Sequence, residues 1–93
     1  MPAIIFTQNN TKPIFNCSTI DAYLYDVSFK KYDKEYKYSE TKCTVQWYDG
    51  HCGWISIDNE VFDNRFIPED LLIQIVEFMS DQNNYDYCIL HHH

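Results

Sequence analysis

Asp49-Gly50 stands between two runs of strand-forming residues, Cys43-Thr44-Val45-Gln46-Trp47-Tyr48 and His51-Cys52-Gly53-Trp54-Ile55-Ser56-Ile57. An Asp-Gly pair accepts the positive φ values of a two-residue hairpin loop at little cost, and no other local feature constrains this chain as much. A two-residue loop fixes a register: Tyr48 faces His51, Trp47 faces Cys52, Val45 faces Trp54 and Cys43 faces Ser56. Upstream, Tyr23, Tyr25, Val27 and Phe29 alternate with Ala22, Leu24, Asp26 and Ser28, the period of a strand. A turn near Tyr32-Asp33-Lys34-Glu35 returns the chain as a long strand from about Tyr36 to Trp47, which places Leu24 opposite Cys43 and Ala22 opposite Val45. The two hairpins then agree on one face: Ala22, Leu24, Cys43, Val45, Trp47, Cys52 and Trp54. That face is the expected core side of the sheet.

Shorter strands are expected at residues 3–7 and 13–17, with Gln8-Asn9-Asn10-Thr11-Lys12 as a turn between them and Pro13 at a strand start. A helix is expected to begin at Pro68, since proline suits the first helical position and Glu69 and Asp70 complement the helix dipole. At 100° per residue, Phe78, Leu71, Ile75, Met79, Leu72 and Val76 form a broad apolar face, and Asp70, Gln74, Glu77 and Asp81 a narrow polar stripe. Ile73 breaks that pattern by lying on the polar side. The tail, residues 85–90, alternates enough to add a strand. The fold expected is α+β: an antiparallel twisted sheet of about five to six strands with one C-terminal helix packed on one face. Residues 1–90 are expected to form a single domain, and His91-His92-His93 reads as the remnant of an expression tag.

The net charge of −7 is unevenly placed. Residues 1–44 carry six lysines against five acids, whereas residues 45–90 carry nine acids against Arg65 alone. A field of that sign repels nucleic acid and acidic membranes and attracts basic partners. No direct nucleic-acid contact and no membrane contact are therefore expected. The start of the chain, Met1-Pro2-Ala3-Ile4-Ile5-Phe6, lacks the basic opening and the apolar run of a leader, so a cytoplasmic location is expected.

Catalytic chemistry finds little footing. His51 is the only histidine outside the tag, and its neighbour Cys52 would point to the opposite face of a strand, out of reach as its nucleophile. The four cysteines (Cys17, Cys43, Cys52, Cys88) show no Cys-x-x-Cys spacing, so no zinc site is expected. In the hairpin register Cys43 and Cys52 share a face but lie roughly 13 Å apart, too far for a disulfide. All four are expected as free thiols. Two glycines cannot build a phosphate-cradling loop, and no cofactor is expected. Lys30, Lys31, Lys34 and Lys37 interleave with Tyr32, Tyr36 and Tyr38, the composition of a single-strand binder, but Asp33, Glu35 and Glu40 dilute it.

Two surfaces are left as candidates. One is carboxylate: Asp58, Glu60, Asp63, Asp70, Glu77 and Asp81, with Ile73 among the helical ones. The other is aromatic: the second sheet face would carry Tyr23, Tyr25, Phe29, Tyr38, Tyr48, His51, Ile55 and Ile57, either exposed or roofed by the N-terminal strands. The function expected is that of a small acidic protein, not an enzyme, that binds a protein partner with a basic surface. Such proteins block nucleic-acid-handling partners in the manner of phage- or mobile-element-type inhibitors. The alternative is a homodimeric structural or regulatory subunit.

Overall fold

A computed structural model describes residues 1–7, 17–48 and 52–80. Seven strands and one helix follow in order: β1 (Ala3–Phe6), β2 (Cys17–Tyr25), β3 (Val27–Lys31), β4 (Lys34–Tyr38), β5 (Thr41–Tyr48), β6 (Cys52–Ile57), β7 (Glu60–Asp63), a 3₁₀ turn (Asn64–Phe66) and α1 (Glu69–Ser80). Five strands form one antiparallel sheet in the order β1-β2-β5-β6-β7, and β3 and β4 form a separate two-stranded sheet. The expected α+β arrangement of an antiparallel sheet with a C-terminal helix is thus present. The expected strand at residues 13–17 and the tail strand at 85–90 lie outside the described residues, except that Cys17 opens β2.

Strand alternation sorts the large sheet into two faces. Ser18, Ile20, Ala22 and Leu24 of β2, Cys43, Val45 and Trp47 of β5, and Gly53, Ile55 and Ile57 of β6 are buried, together with Ile4 and Phe62 on the edge strands. Leu71, Ile75 and Met79 of α1 are buried in the same cluster, one helical turn apart. The ring of Phe78 stacks on Phe6 at 4.0 Å. The helix contacts β1, at one edge of the sheet. The β3–β4 hairpin covers the inner face near the other edge, where Phe29 stacks on Phe62 of β7 at 4.3 Å and Tyr36 and Tyr38 meet the same ring edge-on.

The hairpin reaches that position because the long β2–β3 run is not one strand. Asp26 has φ 54° and Glu40, on the returning chain, has φ 56°. Two left-handed residues on adjoining strands kink the ribbon and invert its alternation. Tyr23 and Tyr25 point away from the core, while Val27 and Phe29 are buried in it. The expectation of unbroken alternation through Phe29 is corrected by this kink.

Two registers differ from the expected ones. The first hairpin closes on Tyr32 and Asp33, so Ala22 pairs with Cys43 and Leu24 with Thr41. This two-residue slip leaves the faces unchanged. At the second, Trp47 pairs with Gly53, Val45 with Ile55 and Tyr48 with Cys52. The slip is one residue, and a one-residue slip exchanges faces. Cys52 and Trp54 therefore leave the core side, and Ile55 and Ile57 enter it. Two isoleucines bury more apolar surface than a cysteine and a tryptophan that keeps its N–H in reach of a partner. Gly53 allows close packing: a Cβ there would meet the Gln46 carbonyl oxygen and lie 2.7 Å from the Trp47 ring.

Helix α1 starts one residue later than expected. The Pro68 carbonyl accepts from the Leu71 and Leu72 amides, so proline shapes the first turn from its border. Two positions on its wheel are corrected. Val76, expected on the apolar face, is exposed. Gln74, expected in the polar stripe, turns to the edge of β1, where Oε1 accepts from the Ile4 amide at 3.0 Å and Nε2 donates to the Pro2 carbonyl at 3.0 Å.

Candidate functional site

Three surface regions carry chemistry. The first is the outward face of α1. Helical spacing places Glu69, Ile73, Val76 and Ser80 on one stripe, with Asp70 and Glu77 beside it, and all six are exposed. Ile73 is 51% exposed and Val76 37%, so the centre of the stripe is apolar and its rim carboxylate. Asp70, Ile73 and Glu77 are brought together as expected. Asp81 lies outside the described residues. Glu69 and Val76 belong to the same surface and were not among the expected contacts; the helical wheel contains the signal for Glu69, and only packing against the sheet reveals Val76.

The other candidate carboxylates stand elsewhere. Asp58 is exposed in the turn between β6 and β7, with φ 51°. Glu60 accepts from the Tyr36 hydroxyl at 3.3 Å. Tyr38, at the end of β4, is half-buried, and its hydroxyl titrates above the usual tyrosine value, through burial first and then the charges of Glu60, Tyr36 and Asp58. Asp63 caps the 3₁₀ turn, accepting from the Arg65 amide at 3.0 Å. Its carboxylate also takes two bonds from the Arg65 side chain, at 3.1 and 3.0 Å, and this pairing lowers its pKa. The acids expected from the sequence thus divide into a helical group, a pair beside the half-buried tyrosines, and a carboxylate already engaged by arginine.

The second region is the outer face of the large sheet. Ile5, Tyr23 and Val61 are exposed there, and Tyr25, Tyr48 and Trp54 are half-buried. Polar side chains interleave with them: Trp54 Nε1 donates to Gln46 Oε1 at 2.7 Å and Thr44 Oγ1 to Asp21 Oδ1 at 3.3 Å. Of the aromatic face expected from the sequence, Tyr23, Tyr25 and Tyr48 are in place. Phe29, Ile55 and Ile57 are core residues, and Tyr38 packs against Phe29 and Phe62 on the opposite side of the sheet. The kink at Asp26 and the one-residue register slip account for all four displacements. His51 is outside the described residues.

Cys17, Cys43 and Cys52 are free thiols. Cys17 and Cys52 flank Tyr48 on one rung of the outer face, and hydrogen bonding with Cys17, more than burial, raises the Tyr48 pKa. Cys43 is on the inner face, opposite in direction to Cys52, which corrects their expected placement on one face. Burial, with a smaller contribution from Asp21, pushes the Cys43 thiol up to about 12, so it stays protonated and unreactive at neutral pH. Among the described residues no three histidine, cysteine or acidic side chains gather into a metal site. No helix among them is long and apolar enough to cross a membrane.

The third region is the tip of the β3–β4 hairpin. Tyr32 is exposed in its turn, Lys31 and Lys34 close that turn as a directly opposed pair, and Arg65 and Phe66 adjoin it. Compared with family models, curated proteins and solved structures, the chain finds no match in any of the three.

Proposed function

We propose that this chain is a binding protein without catalytic activity, and that it docks on a basic protein surface through the outward face of α1. The observation that carries the reading is Ile73: a half-exposed isoleucine at the centre of a helix face rimmed by Glu69, Asp70 and Glu77. An apolar centre within a polar rim is the anatomy of a protein interface. Covering the exposed half of one isoleucine contributes about 1 kcal/mol, too little for affinity alone. The carboxylates add a long-range field that speeds encounter with a cationic partner. Proteins that handle nucleic acid present such cationic surfaces, and occluding one is the inhibitory activity proposed. Three free thiols favour a reducing compartment such as the cytoplasm.

A homodimeric subunit is the second reading, favoured by the exposed Ile5, Tyr23 and Val61 on the outer sheet face. Paired capture from the source cell separates the two. Wild-type protein, Ile73→Asp and Tyr23→Asp are used as baits, each checked for native circular dichroism. A basic protein retained by wild type and Tyr23→Asp but lost with Ile73→Asp is the expected outcome. Unchanged capture by Ile73→Asp refutes the helix-face reading, and light scattering that finds a dimer disrupted by Tyr23→Asp establishes the other.

A further inference from the structure

The hairpin tip breaks two local rules at once. Tyr32 holds φ 58° in a two-residue turn, a left-handed conformation whose ordinary occupants are glycine, asparagine and aspartate. Lys31 and Lys34 pair directly across the closing rung, so two like charges face each other on one side of the ribbon. Packing accounts for Lys31, which is half-buried, but not for Tyr32, which is 72% exposed, nor for Lys34, which is exposed as well. Strained turns and like-charge pairs of this kind cluster at functional sites.

The surroundings show what would offset them. Tyr32 meets Phe66 edge to face at 5.2 Å, and its exposure leaves the ring largely in solvent. The Lys31 ammonium lies 5.7 Å from the Phe62 ring centre and 5.8 Å from that of Phe66, and donates to the Val61 carbonyl at 2.8 Å. Lys34 lies 4.8 Å above Tyr36, and the Arg65 guanidinium 4.8 Å above Phe66. Cations resting on rings are already ordered before any ligand arrives. An anion between Lys31 and Lys34 would turn their repulsion into attraction.

We propose that this tip is a binding site for single-stranded nucleic acid, with a base stacked on Tyr32 and the neighbouring phosphates held by Lys31 and Lys34. The negative net charge of the chain argued against such contact, but its charges are segregated. Five of the seven basic residues (Lys30, Lys31, Lys34, Lys37 and Arg65) lie on this hairpin or the adjoining 3₁₀ turn. Glu69, Asp70 and Glu77 lie on α1, which contacts β1 at the far edge of the sheet. Screening over about 8 Å at physiological salt lets the two ends act separately. Of the acids near the tip, Asp63 is bound to Arg65, Glu60 accepts from the Tyr36 hydroxyl, Glu35 stands opposite Lys30 and 3.9 Å from Lys37, and Asp33 is exposed in the turn, which leaves Lys31 and Lys34 as the cations of the tip with no carboxylate paired to them among the described residues. An acidic peptide would use the lysines but would give no reason to hold a tyrosine in a strained turn. Base stacking gives that reason.

Fluorescence anisotropy with a labelled single-stranded oligothymidylate at low salt tests the site. A dissociation constant on the order of micromolar to a hundred micromolar is expected, weakening with salt at a log–log slope of about −1.4 for two phosphates neutralised. Tyr32→Asn, whose new side chain tolerates the left-handed turn, should fold normally and weaken binding at least about fivefold. Lys34→Glu should abolish binding while raising the melting temperature, because it replaces the like-charge pair with an opposite one. Ile73→Asp should bind the oligonucleotide as wild type does, which keeps this result separate from the α1 reading. Absence of binding by the wild type overturns the proposal, as does undiminished binding by Tyr32→Asn. Equal competition by poly-glutamate would show that the tip receives acidic polypeptides instead, and would overturn it too.

Discussion

Cys43 shows how burial sets the chemistry of a single side chain. Its folded pKa of about 12 lies above the unfolded value of about 8.5. The folded state therefore keeps a proton that the unfolded chain releases. The stability this contributes is fully present below about pH 8.5 and is lost progressively as pH rises toward the folded value. Urea midpoints measured at about pH 8 and about pH 10.5 should fall with pH, and Cys43→Val, which has no proton to lose, should flatten part of the fall. Tyr38, raised in the same direction, retains the remainder. Thiol labelling of the folded protein offers a second check. Exposed Cys52 should react first, and Cys43 only on unfolding. Residue spacing argued only against a Cys43–Cys52 bridge. Which of the thiols is buried was not legible, because that depended on a register one residue removed from the expected one.

At the scale of elements, most of the α1 face and the strands other than β7 were legible from periodicity, and β7, the kinks and the slips were not. Period-two alternation does not reveal a left-handed residue such as Asp26, because the apolar pattern resumes on both sides of it, although aspartate tolerates that conformation better than most residues. The Asp49-Gly50 signal correctly marked a hairpin but left its register one residue short. Ile55 and Ile57, weighed against Cys52 and Trp54, would have corrected it. Helical periodicity likewise assigned Gln74 to solvent, whereas its amide closes the outer edge of β1 as a neighbouring strand would. At the other edge Lys31 occupies the Val61 carbonyl of β7. Both edges thus have a backbone group engaged by a side chain, which discourages further strand addition. Replacing Gln74 with Ala removes two hydrogen bonds and should cost about 1–3 kcal/mol in chemical denaturation. It should also increase aggregation, followed by light scattering, and Gln74→Glu should rescue neither because it cannot donate to Pro2. Phe62→Ala should cost about 3–5 kcal/mol, since that fully buried ring packs against the hairpin's Phe29, Tyr36 and Tyr38 at once.

For the molecule as a whole, the two covers of the inner sheet face also separate its charges. The hairpin at the β7 edge carries lysine, and the helix at the β1 edge carries carboxylate. The sequence showed the acidic bias of its second half, but Asp58, Glu60, Asp63, Asp70, Glu77 and Asp81 were expected on one surface, because linear order does not say that Asp63 binds Arg65 or that Glu60 meets Tyr36. The acidic helix face as the docking surface is the claim on which the proposed function depends most. Its most direct test is the association rate with the captured basic partner, measured for wild type and for Asp70→Lys with Glu77→Lys at low and at physiological salt. Wild-type association should slow as salt rises while dissociation changes little, and the double variant should associate slowly at both salts with its helix intact. Equal rates for the two proteins at low salt would contradict that claim.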